Sequence, residues 1–71
     1  MNYKTTSPAP DRIAPYEACR AVKTLPTGAT ASISCKLTNS YGNVWFKLSS
    51  GFDYIYSDHF ASTVKSKVPN C

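Results

Sequence analysis

Residues 30–37, TASISCKL, alternate without a break. Ala31, Ile33, Cys35 and Leu37 fall on one side, and Thr30, Ser32, Ser34 and Lys36 on the other. Side chains along a strand point to opposite faces in turn, so this pattern predicts a half-buried strand with Cys35 directed inward. VWFKL (44–48) repeats it: Val44, Phe46 and Leu48 share the core face, and Trp45 and Lys47 face out. In DYIY (53–56) Ile55 takes the core parity, with Tyr54 and Tyr56 opposite. RAVKTL (20–25) reads as a further short strand. PTGA (26–29), TNSYGN (38–43) and SSGF (49–52) are rich in turn formers and separate the strands. SDHF (57–60) predicts one helical turn, capped by Ser57 or Asp58, that returns Phe60 to the core and leaves His59 outside. STVKSKV (62–68) alternates weakly and reads as a last strand.

The N-terminal segment gives no such pattern. Pro8, Pro10 and Pro15 lie within residues 1–18, and proline has no amide hydrogen to give a sheet. The segment is expected to be a long irregular loop with a short extended piece at DRIAP, residues 1–10 being flexible. No window has the period of an amphipathic helix. Short strands broken by frequent turns place the chain in the all-β class, as a small antiparallel barrel or sandwich in a single domain, 1–71.

Seventy-one residues lie near the lower limit for a self-sufficient core, and domains of this size lean on disulfides, metals or partners. Cys19, Cys35 and Cys71 are the three cysteines and His59 the one histidine. Without a Cys-x-x-Cys pair or a second histidine, the spacing fits no zinc site, so no metal or other cofactor is expected. A disulfide is the better reading and implies an oxidising compartment. Secretion is therefore expected, with Met1 standing in place of a removed leader. Cys35 on an inward face and Cys71 on a tail that needs anchoring form the preferred pair, closing about half the chain for roughly 3–4 kcal/mol. Cys19–Cys71 and Cys19–Cys35 remain alternatives. The odd thiol is either unpaired, giving a monomer, or links two copies into a disulfide-bonded dimer.

A net charge of +4 comes from scattered lysines, with only KSK at 65–67 clustered. That argues against a nucleic-acid stripe and suits weak attraction to an anionic polymer. No stretch has the length and apolarity of a membrane span, so no membrane insertion is expected. A Cys19–His59 pair lacks any surrounding nucleophile motif or glycine-rich oxyanion loop, so the chain is read as non-catalytic.

TLPTGATASISC, then VWFKL, then YIYSDHF follow one another as in bacterial SH3-type domains, which this chain resembles from Leu25 onward. DRIAPYEACRAVKTLP fits the family's opening segment less closely, because DRIAP lacks the usual glycine. The resemblance implies an SH3-like antiparallel barrel of about five strands, with a long N-terminal loop and a short 3-10 turn near 57–60. It also implies a non-catalytic module that recognises cell-wall peptide or glycan. The C-terminal VPNC is similar to secreted versions that pair a strand cysteine with one near the end.

On such a scaffold Trp45, Tyr56 and His59 converge on one outer surface. Tyr16 of the first loop forms a fourth wall, and Asp53 and Asp58 stand ready to accept bonds from amines. Residues 41–60 hold the chain's only Trp, its only His and three of its five Tyr. Aromatic rings offer large contact area with few rotors to freeze, and their polar tips donate hydrogen bonds. A free-standing disulfide-stapled domain suits a second role equally well: a small secreted inhibitor, toxin or effector that binds another protein.

Overall fold

The computed structural model describes every residue except Ser50 and Phe52. The chain is mostly β: β1 (Asn2–Lys4), β2 (Ala9–Arg12), β3 (Ala21–Leu25), β4 (Thr30–Thr38), β5 (Val44–Leu48) and β6 (Tyr54–Tyr56). These six form one antiparallel sheet in the order β1-β4-β5-β6-β2-β3. A 3-10 turn, Ser57–His59, follows β6, and a one-turn helix α1, Val64–Lys67, lies near the C-terminus.

The central strands follow the hydropathy pattern. Ile33, Phe46 and Ile55 are fully buried, and Ala31, Leu48 and Phe60 join them with Val64 and Val68. Phe46 meets Phe60 edge to face with ring centroids 5.3 Å apart. Each buried aliphatic or aromatic side chain of this set contributes about 1.5–3 kcal/mol by leaving water. The turn at Pro26–Ala29 closes through Ala29 N–H to Pro26 O, and Gly28 takes φ +82°, a backbone region that favours glycine. The turn expected at 49–52 includes Ser50 and Phe52 and so lies outside the described residues.

Four expectations are corrected. Residues 1–12 are not a loose loop but supply β1 and β2 of the sheet. β1 pairs with β4, and the Met1 ammonium donates to Ile33 O at 2.9 Å. Thr5 and Thr6 continue the attachment, with Thr6 N–H donating to His59 O. Pro10 is tolerated inside β2 because β6 pairs with β2 only at Arg12–Tyr54, so little of the ladder needs its amide.

Residues 62–68 do not form a strand. Val64 and Val68 are both buried and stand four apart, the spacing of one helix face, and Val68 N–H donates to Val64 O at 3.2 Å. The helical turn at 57–59 forms as expected, but Tyr56 precedes it as the cap and no side chain of Ser57 or Asp58 closes it.

Cys35 does not share the face of Ile33. Ile33 stands opposite Leu48, yet Cys35 stands opposite Lys47 and Leu37 opposite Trp45, so a register shift after Ile33 moves the alternation by one residue. Directly paired residues share a face, which puts Cys35 and Leu37 on the side of Lys47 and Trp45. Both are half-buried. Cys35 pairs with Cys71, Cα atoms 4.9 Å apart, while Cys19 is free and half-buried. The C-terminal residues run beside β4, with Lys36 N–H donating to Pro69 O and Cys71 N–H to Lys36 O, both at 2.8 Å. The Lys36 ammonium donates to Lys65 O and ties α1 to the same edge. A disulfide of this kind suits an oxidising environment, and among the described residues no helix is long and apolar enough to cross a membrane.

Candidate functional site

The ladder between β5 and β6 pairs Trp45 with Tyr56 and Lys47 with Tyr54. The same face receives Arg12 of β2, which stands opposite Tyr54. Trp45 is only 3% exposed, yet it stands apart from the hydrophobic cluster formed around Phe46. Its indole is buried on the far side of the sheet.

A cavity of about 220 Å³ lies there. Trp45, Tyr56 and His59 supply its rings, and Pro10, Arg12, Glu17 and Asn43 complete its walls. Trp45 and Tyr56 have centroids 5.3 Å apart with planes tilted by 43°, and Tyr56 meets His59 edge to face at 6.2 Å. Ser7 Oγ lies 3.0 Å from His59 Nδ1, which holds the ring by one nitrogen and leaves Nε2 for a ligand. The indole Nε1–H of Trp45 is buried and meets no acceptor among the described residues. Buried donors are nearly always partnered, so an orphan beside a cavity marks a place where an acceptor is wanted.

Arg12 is half-buried, and one of its terminal nitrogens donates to Cys19 O at 2.9 Å. Among the described residues no carboxylate comes within ion-pair reach of it, the one such contact being Lys23–Asp11 at 3.9 Å. Burial pushes the Tyr56 phenol up from its ordinary pKa of 10.0, and the carboxylates of Asp58 and Glu17 add to the effect. Asp58 thus lies close to Tyr56, but it is exposed and does not line the cavity.

Tyr16 lines a second, more open depression of about 830 Å³ with Ala18, Cys19, Asn39 and Tyr41. Glu17 and Asn43 belong to both, so the two hollows adjoin. Tyr16 meets Tyr41 edge to face at 5.8 Å, and its hydroxyl lies 3.1 Å from Ser40 Oγ. Tyr41 is 80% exposed. Asn39 organises this region. Its Nδ2 donates to Pro15 O, and its Oδ1 accepts from the backbone N–H groups of Tyr41 and Asn43. Gly42, at φ +82°, completes the bend.

Of the residues singled out from the sequence, Trp45, Tyr56 and His59 are brought together. Tyr16 is placed next door and Asp58 at the edge. Pro10, Arg12, Glu17 and Asn43 were missed. The first two lie on a strand whose alternation is disguised, because its inward positions are Ala9 and Asp11.

Asp11 is a separate feature. It is fully buried, and neither carboxylate oxygen accepts a hydrogen bond among the described residues. Desolvation raises its pKa from 3.8 to about 6, with the neighbouring Asp53 carboxylate adding to the rise and Lys23 opposing it. No group of three or more potential metal ligands is found among the described residues.

The chain matches no family model, no curated protein and no solved structure.

Proposed function

We propose that this protein is a secreted, non-catalytic binding module that recognises cell-wall peptide or glycan through the Trp45 cavity. The resemblance of residues 25–60 to bacterial SH3-type domains supports this reading. The observation that carries it is the position of Trp45: buried, outside the hydrophobic core, lining a cavity with Tyr56 and His59, and bearing an unpartnered Nε1–H. A tryptophan kept only for packing would lie within the core cluster or find its indole a partner in the protein.

Retention on purified peptidoglycan tests the proposal. The wild type is expected to sediment with sacculi, and Trp45→Phe, which keeps a ring but removes the donor, to release most of it. A wild type that stays in the supernatant removes the wall-binding role.

The second reading is a module that binds another protein, as an inhibitor, toxin or effector. Exposed Tyr41, Ile13 (50%) and Val22 (46%) favour it, since large apolar side chains left in water suit a macromolecular contact. A wild type that stays off sacculi but holds a protein partner, with that partner lost in Tyr41→Ala, would select this alternative.

A further inference from the structure

The wall-binding reading leaves the chemistry of the ligand open. We propose that the cavity takes a terminal carboxylate, anchored on Arg12, and that the attached chain leaves across the Tyr16–Tyr41 depression.

The cavity wall carries two donors, the guanidinium of Arg12 and the indole of Trp45. Arg12 has five N–H groups in a planar fork, a shape that matches a carboxylate two bonds at a time. The contact with Cys19 O occupies part of that fork and fixes its orientation. Among the described residues no carboxylate pairs directly with it, Glu17 lining the same cavity without an ion-pair contact. A half-buried guanidinium without a counter-ion is costly, and an incoming anion removes that cost. Trp45 adds a second, independent sign. Its Nε1–H is buried without an acceptor, and its ring lines the same cavity. A carboxylate presents two oxygens with several lone pairs, enough for both donors. The net charge of +4 favours the approach of an anionic group.

Acceptors are present as well: Glu17 and Asn43 line both the cavity and the second depression. Their side-chain oxygens accept bonds from amides or an amine further along the ligand. Beyond them Tyr16 and Tyr41 present rings to an extended backbone. Two unanswered donors in the cavity beside an aromatic depression suit a peptide with a free C-terminus better than a neutral glycan, whose hydroxyls do not need a counter-ion.

The test uses the tetrapeptide L-Ala-D-isoglutaminyl-L-Lys-D-Ala in two forms, with the terminal carboxylate free and with it amidated. Binding is followed by calorimetry and by the fluorescence of Trp45, the only tryptophan. The free acid is expected to bind at least ten-fold more tightly than the amide. Arg12→Gln is expected to abolish that preference, and Arg12→Lys to keep part of it; thermal melts of both establish that they fold. The comparison of acid with amide on the wild type decides the matter even if both variants unfold. Equal binding of the two forms overturns the carboxylate assignment, as does binding of an N-acetylglucosamine oligomer in preference to either. Retention on sacculi is measured in parallel. Retention without an acid preference sinks this inference alone, whereas an acid preference without retention sinks the wall-binding reading and leaves the carboxylate site standing.

Discussion

Trp45 and Tyr56 are cross-strand partners on the face away from the Phe46 core, with ring centroids 5.3 Å apart. The pairing stabilises the β5–β6 ladder and walls the cavity at once. The two roles separate by substitution. Trp45→Phe keeps the aromatic contact and removes the orphan donor, so stability in the unliganded state should change by about 1 kcal/mol or less. Affinity for sacculi should fall at least ten-fold. Tyr56→Ala removes the pairing as well and is expected to cost about 1–3 kcal/mol by urea denaturation, in addition to the loss of binding. A Trp45→Phe variant that binds as the wild type does would remove the indole donor from any role.

Asp11 makes stability depend on pH in an uncommon direction. Its folded-state pKa, about 6, lies above the value of 3.8 taken by a free carboxyl. The folded protein therefore holds the proton more tightly, and protonation favours folding. The contribution is fully present below about pH 4 and is lost as pH rises through about 6, an effect of about 3 kcal/mol. Asp11→Asn keeps the shape and cannot ionise. It is expected to raise the melting temperature at pH 7 and to leave it little changed at pH 4. Urea titrations of both proteins across pH 3.5–7.5 check this, and a wild type that gains stability between pH 4 and 6 relative to the variant contradicts it.

The central β region was legible because its burial follows period two. VWFKL and DYIY announce their faces through Phe46, Leu48 and Ile55, and the outward parity of Trp45 follows from its neighbours. Three features escaped for physical reasons. β2 reads APDR, with an ionisable residue at an inward position whose burial raises its pKa to about 6, which no hydropathy pattern records. The bulge after Ile33 shifts Cys35 to the other face, although TASISCKL alternates evenly throughout. In STVKSKV the two valines at a spacing of four fit one turn of helix, and tertiary burial of Val64 and Val68 selects it. Of the cavity walls missed from the sequence, Pro10 and Arg12 come from β2 and Glu17 from the loop that β2 leads into, while Asn43 lies in the turn before β5, whose polar residues carry no pattern that marks a wall.

Reduction of Cys35–Cys71 should unfasten more than the tail. The bond joins positions 36 residues apart, and in the chain-entropy account a loop of that size is worth about 4 kcal/mol. The same C-terminal segment carries Val64 and Val68 into the core and meets Lys36 through its backbone. A Cys35→Ala/Cys71→Ala protein is expected to melt well below the wild type, by roughly 15 °C or more at this size. Cys19→Ser, which leaves the bond intact, should melt within a few degrees of it. Differential scanning calorimetry compares the three, and equal melting of the double variant would show that the tail is held without the covalent link.

Asn39 provides the last test, because it shapes the junction of the two hollows without lining the enclosed one. It is 9% exposed, and its side chain makes three hydrogen bonds: to Pro15 O, and from the backbone N–H groups of Tyr41 and Asn43. Together they tie the Ile13–Arg20 loop to the β4–β5 turn, which places Tyr16 beside Tyr41. Asn39→Ala leaves those backbone groups unpaired or returns them to water, at a cost of about 1–3 kcal/mol. Asn39→Asp keeps the acceptor that holds Tyr41 and Asn43 but loses the donor to Pro15, so it should cost less while freeing the loop. If the Tyr16–Tyr41 depression carries the outgoing chain of a ligand, both variants should lose affinity for the tetrapeptide acid and keep the preference for acid over amide set by Arg12. Calorimetric titration of the two peptide forms separates those effects. Loss of the preference in Asn39→Asp, with an unchanged melting temperature, would place the discriminating contact at the junction instead.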